Sequence, residues 1–327
     1  MQFDPWKRRD FIALLGGAAA WPLAARAQQP AVPVIGFLHS ATEAAYAPMT
    51  AAFRKSLSEA GYFDQSVMIE FRWAQGRLER LPELAADLVR RQVSVIFAGG
   101  GAEPALAAKA ATSKIPIVFA SGVDPVEVGL VASLSRPGGN ITGVSFLINT
   151  LGPKELEALH ELRPQATVIA ALINPDLATT ASQAKDVEMA APALGLQVRV
   201  LHASTEREIE AVFDSLAQVQ AGGLVIGANA FFFSHRNQLV ELAARYSVPT
   251  VYPWREAVAG GLMSYGANVA DAYRLAGDYT GRVLRGETDL PVQQSTNTEL
   301  VINLKTAKSL GLAFPITLLG RANEVIE

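Results

Sequence analysis

The 327-residue sequence contains no cysteine. No disulfide can staple it, so its core alone must hold the fold, and a chain this long can bury one. Histidine is scarce, and His39, His160, His202 and His235 stand at no metal-ligand spacing. No Gly-x-Ser-x-Gly elbow presents a serine nucleophile, and no Gly-Lys-Ser/Thr sequence marks a P-loop. Carboxylates are common, yet no pair stands out at the expected strand ends. Basic residues do not predominate: 28 Lys and Arg face 31 Asp and Glu, for a net charge of −3. Such a chain is a poor partner for nucleic acid or an anionic membrane. No run approaches the roughly 20 apolar residues that span a bilayer.

What is present begins with residues 1–27. Lys7, Arg8 and Arg9 precede an apolar run from Phe11 to Leu23, and the small-residue step Ala25-Arg26-Ala27 follows. These are the parts of a secretory signal peptide, with cleavage expected after Ala27. Arg8-Arg9-Asp10-Phe11-Ile12 is similar to the twin-arginine export signal, and an ordinary secretory signal is the alternative. Cleavage leaves a net charge of −5. With no cysteine for a lipid anchor, the remaining chain is expected to be soluble outside the cytoplasm.

From Val32 onward, short apolar runs alternate with helical patterns. Strands are expected at 34–38, 67–73, 93–98 and 115–120, with helices at 46–60, 78–91, 103–113 and 126–134 between and after them. Near-continuous apolar strands alternating with helices predict a parallel sheet covered on both faces. After the turn cluster Pro137-Gly138-Gly139-Asn140 the pattern restarts. Strands at 141–146, 168–173, 197–201, 223–227 and 249–252 alternate with helices at 153–162, 180–194, 207–219 and 238–246. The fold class is therefore α/β, with two doubly wound parallel-sheet lobes of similar build. A strand at 262–265, a helix at 271–284, a strand at 299–304 and a helix at 306–310 complete the lobes. The chain then crosses between lobes more than once.

Ligands of open parallel sheets bind outside the carboxyl ends of the strands. The loops in that position are His39-Ser40, Gly99 to Glu103, Ser121 to Pro125, Asn174-Pro175, Ala228 to Phe233 and Tyr265 to Asn268. Gly99-Gly100-Gly101 follows a strand and opens a helix, which suits either an anion cradle or a plain tight turn. It is not a dinucleotide fingerprint, because Pro104 occupies the third glycine position. Asp124 is placed to cap the next helix, and a contact to a ligand ammonium is compatible with that role. Phe231-Phe232-Phe233 either stacks on an apolar ligand group or seals a helix onto the sheet, and Tyr46, Tyr252, Trp254 and Tyr265 carry the same two readings. The candidate contact residues are Ser40, Tyr46, Gly100, Gly101, Ser121, Asp124, Asn174, Asn229, Phe231, Tyr265 and Asn268. No catalytic residue, metal or cofactor is expected.

Several stretches carry a family resemblance. They are Arg80 to Leu88, Ile115 to Phe119 with Asp124-Pro125-Val126, Arg136 to Val144, Gly260 to Gly266, and Glu299 to Lys308. In this order and spacing the chain resembles the periplasmic substrate-binding proteins of ATP-driven importers, in the branch related to tryptophan- and tyrosine-binding components. The resemblance implies a type I binding-protein fold, with three crossovers and closure around a small ligand. On this reading residues 28–143 plus 254–287 form one lobe and 144–253 plus 288–327 the other. Many relatives resemble Asp-x-Phe where this chain has Asn229-Ala230-Phe231, which favours a carboxylate or aromatic acid as ligand. The expected function is that of a monomeric, non-enzymatic receptor handing a small solute to a membrane permease. An exported α/β enzyme using the same cleft and a sensing subunit for a membrane receptor are the alternatives.

Overall fold

The computed structural model describes residues 32–63 and 65–327, and the segment read as an export signal lies outside the described residues. The first sheet begins with β1 (Val34–His39), β2 (Met68–Trp73), β3 (Val95–Gly99), β4 (Ile117–Ser121) and β5 (Ile141–Ser145). Helices α1 (Ala47–Glu59), α2 (Leu81–Arg90) and α3 (Glu103–Ala111) connect the first four of these strands. The chain then enters a second unit. It comprises α4 (Gly152–Leu162), β6 (Val168–Ile173), α5 (Thr180–Ala190), β7 (Gln197–His202), α6 (Glu206–Ser215) and β8 (Leu224–Ile226). Helices α7 (Ala230–Ser234) and α8 (Arg236–Arg245) and strands β9 (Thr250–Tyr252) and β10 (Met263–Ala267) continue it. Helix α9 (Val269–Leu284) and β11 (Gln293–Gln294) follow. The chain closes with β12 (Thr298–Asn303), α10 (Leu304–Ser309), α11 (Ile316–Arg321) and β13 (Glu324–Ile326).

Two sheets result. The six-stranded sheet has the order β11-β5-β4-β3-β1-β2, and the seven-stranded sheet the order β13-β12-β10-β9-β8-β6-β7. Neighbours are parallel except β10 and β12, which pair antiparallel from Met263↔Ile302 to Ala267↔Thr298. Strands β3, β4 and β5 are buried along their whole length, as expected for a parallel sheet with both faces covered. Strand β2 alternates Met-Ile-Glu-Phe-Arg-Trp because it is an edge. There the Nε and Nη2 of Arg72 donate to Asp87 Oδ2 at 2.8 and 2.6 Å, placing charge beside the edge.

An aromatic column fills the space between the first sheet and helices α1 and α9. Phe97 packs against Phe37, Phe53 and Tyr273 at centroid distances of 4.7, 4.5 and 5.5 Å, within the range where aromatic pairs attract. Tyr46 carries this core to the second unit, 4.7 Å from Phe233, which in turn meets Trp254 edge-on at 5.4 Å.

Two expectations about organisation need correction. Residues 254–287 do not stay with the first lobe: β10 belongs to the second sheet, and only α9 packs back on α1, β3, β4 and β5. Conversely β11, expected in the second lobe, pairs with β5 of the first sheet, and β5 itself runs to Ser145. A short apolar run carries no label for its sheet; only the pairing partner decides. The helix expected over 126–134 is absent. The segment makes a turn in which Gly129, at φ +71°, reverses the backbone, and Leu130 and Val131 both donate to Pro125 O. Asp124 accordingly caps a turn, its Oδ1 accepting from the amides of Val126 and Glu127.

The chain passes between sheets at residues 146–151, at Asn268 and at residues 295–297. Asn149 ties the first crossing to both sides: its amide donates to Gly122 O at 3.1 Å, and its Nδ2 donates to Ala228 O at 3.0 Å. At the other crossings, Asn268 N donates to Asn297 O and Ser295 N to Ser145 O. Three separate connections thus join the two units.

Candidate functional site

The carboxyl ends of both sheets converge on one cavity of about 370 Å³. Ser40, Tyr46, Gly100, Gly101, Asn174, Asn229 and Phe231 line it, as the loop argument expected. Ser121, Asp124, Tyr265 and Asn268 are outside the lining. Ser121 is fully buried. Tyr265 lies two residues before the end of β10 and packs into the outer apolar cluster of the second sheet. Asn268 is spent at the start of α9, its Oδ1 accepting from Asp271 N at 2.9 Å and its Nδ2 donating to Glu299 at 2.8 Å.

A chain of hydrogen bonds sets the polarity of one wall. The Ala41 amide donates to His39 Nδ1 at 3.0 Å, so the proton of the neutral ring is assigned to Nε2. That proton is donated to Tyr273 Oη at 2.7 Å. Burial brings the His39 pKa down to about 3, so the imidazole stays neutral. The Gly100 amide lies near the Tyr273 oxygen. Burial first, then the neighbouring Tyr46, hold the phenol protonated. Tyr273 also lines the cavity. Ser40 has the opposite character: its hydroxyl donates to Gly100 O at 2.5 Å, leaving only acceptor capacity free.

The triglycine loop holds an anion of the protein's own. The Glu103 carboxylate turns back over the start of α3, with Oε2 at 2.5 Å from where a Gly101 Cβ would stand. It lies near the amides of Glu103 and Ala102 and, across the cavity, near that of Ala178 of the second unit. Burial raises its pKa above the ordinary carboxylate range, and the three amides oppose that rise.

The second unit supplies apolar and capping groups. Asn229 caps α7: its Oδ1 accepts from Phe232 N at 2.8 Å, and its Nδ2 donates to Gly227 O at 3.2 Å. The three phenylalanines divide their work, since Phe232 and Phe233 are core whereas Phe231 reaches the cavity. Trp254, Phe146 and Tyr46 add aromatic surface. Asn174 makes an Asx turn with Asp176 N at 2.9 Å. Tyr273 and Glu103 were missing from the candidates. Glu103 was visible as the acidic first residue of a helix following glycines, whereas Tyr273 sits on a helix whose return to the first sheet is a long-range event. Among the described residues no cluster of three or more acidic or histidine side chains could hold a metal, and no helix is long and apolar enough to cross a membrane.

Comparison with known proteins agrees with this architecture. The model of the family described as ABC transporter substrate binding protein matches residues 32–326. A tyrosine-binding protein of Clostridioides difficile (strain R20291) is 28% identical over 264 residues, 80% of this chain and 75% of that protein. The ABC domain from Streptococcus pneumonia, solved in complex with L-Trp, is similar with a TM-score of 0.82 at 24% identity, over 90% of this chain and 99% of that one. A ligand-free, open substrate binding protein with adhesive properties from Clostridium difficile gives 0.65 at 26% identity over the same shares of the two chains.

Proposed function

We propose, since the chain belongs to the family of ABC transporter substrate binding proteins, that it is an exported receptor which captures one small amino-acid-like solute between its lobes and delivers it to an ABC permease. The observation that carries this reading is the cavity itself: loops at the carboxyl ends of both sheets line it, together with Phe146, Ile148 and Asn149 of the first crossing. A solute seated there touches both lobes and stabilises the closed state by that difference in contacts. Glu103 of the first lobe lies near the Ala178 amide of the second, a placement that suits closure across the site. Tyr46, Phe146, Phe231 and Trp254 suit an aromatic side chain, and relatives named for tyrosine and solved with L-Trp point to the same solute class.

Calorimetric titration of the purified chain with L-tyrosine and L-tryptophan tests the proposal. The expected result is saturation at one equivalent by at least one of them, with the solute recovered unchanged by mass spectrometry. A converted product would replace the receptor with an enzyme, and no binding by either would remove the aromatic amino-acid class.

A further inference from the structure

We infer that the cavity selects its solute by the cationic amino group, which Glu103 receives, and that the solute's carboxylate is the lesser determinant. This rests on the receptor reading above. It reverses the expectation of an acidic ligand raised by the loss of Asp at position 229.

The charges lining the cavity are all negative. Glu79 and Asp176 stand exposed at its rim on opposite lobes, Glu103 lies deeper, and among the described residues the lining contains no Lys, Arg or His. Two cations close to the cavity are committed elsewhere. Arg236 lies over the Phe233 ring at 4.7 Å and donates to Phe233 O, and Arg80 Nη1 donates to Ala74 O at 3.3 Å. An anionic solute would therefore enter a field of its own sign with no cation to meet it.

The dipoles that ordinarily receive a carboxylate are also occupied. The Glu103 carboxylate already lies over the Gly101 end of the triglycine loop, near the amides at the start of α3. A solute carboxylate thus finds only neutral partners in the lining, Thr42, Ser204 and Tyr273 among them. An ammonium is better provided for. Glu103 lines the cavity, and a carboxylate offers about four acceptor positions, so it can receive a charge-assisted bond from an ammonium. Ser40 presents an acceptor-only hydroxyl on the adjoining loop, and the aromatic rings add cation–π attraction.

The test compares three probes that share one aromatic body: L-tyrosine, tyramine, which lacks the carboxylate, and 3-(4-hydroxyphenyl)propionate, which lacks the amino group. By calorimetry the unmodified chain is expected to bind tyramine at least tenfold more tightly than the propionate. Glu103→Gln is expected to weaken L-tyrosine and tyramine at least tenfold while leaving the propionate unchanged or improved. Glu103→Asp, which keeps the charge, should retain the preference for amine over acid, and a thermal melt of each variant confirms folding. Propionate binding as tight as tyramine, or unaltered amine affinity in Glu103→Gln, would overturn the inference and leave the receptor reading standing. Failure of the unmodified chain to bind any of the three would overturn both.

Discussion

Glu155→Gln should raise the melting temperature at pH 8 and leave it nearly unchanged at pH 4. Glu155 lies on α4 with 2% of its surface exposed, beside a void of about 10 Å³ that Asn149 and Gln183 also line. Burial raises its pKa well above the ordinary carboxylate range, and no hydrogen-bond donor offsets the rise. The sign follows from proton counting. Between the unfolded pKa near 4.5 and the higher folded value, the native state holds a proton that the unfolded chain has released. Stability therefore falls as pH rises through that window, by about 1.4 kcal/mol per pH unit. Glutamine keeps the shape and does not titrate, so the gain grows with pH, at about 2 °C or more per kcal/mol. Scanning calorimetry from pH 4 to 8 measures it, and a difference independent of pH would show that the buried carboxyl is compensated.

Gly100→Ala should weaken both the fold and the site. Gly100 has φ +87°, where an L side chain costs about 1–2 kcal/mol. Its Cβ would also stand 2.5 Å from both His39 Cε1 and Ser40 Oγ. Neither neighbour is free to retreat, since Ala41 and Tyr273 hold His39, and Ser40 is bonded to Gly100 O. Strain and overpacking together predict a loss of about 2–4 kcal/mol. Affinity for L-tyrosine should fall at least tenfold, because the groups displaced are those that orient Tyr273 and Ser40. Gly129→Ala is the control: φ is +71° but nothing lies within 4 Å of the added methyl, so it should show strain alone and bind normally. Equal effects of the two substitutions would mean that crowding at Gly100 is unimportant.

Much of this architecture is legible in the residues. Runs such as Val95–Gly99 and Ile117–Ser121 are apolar throughout because both faces of the sheet are covered, and their carboxyl ends point to Ser40, Gly100, Asn174 and Phe231 without coordinates. Other features are not local. Met263–Ala267 reads as a strand, but its place beside β9 and β12 depends on partners elsewhere in the chain. The turn after Asp124 has helix-compatible residues at most positions, and only the conformation of Gly129 breaks it. The triglycine loop reads as an empty anion cradle until the carboxylate of Glu103 is seen lying in it, since sequence carries no side-chain direction. Tyr273 looks like one more apolar-face residue of a helix until that helix is docked on the first sheet.

The central claim is that the lobes close around a solute. The absence of cysteine allows two labels to be placed without any competing site. Spin labels at Arg77→Cys on the first lobe and Arg207→Cys on the second, both exposed positions, report the separation across the cleft by pulsed electron resonance. Saturating L-tyrosine is predicted to gather a broad distance distribution into one short, narrow population. A distribution that stays unchanged while calorimetry shows the site filled would contradict closure as the mechanism of capture.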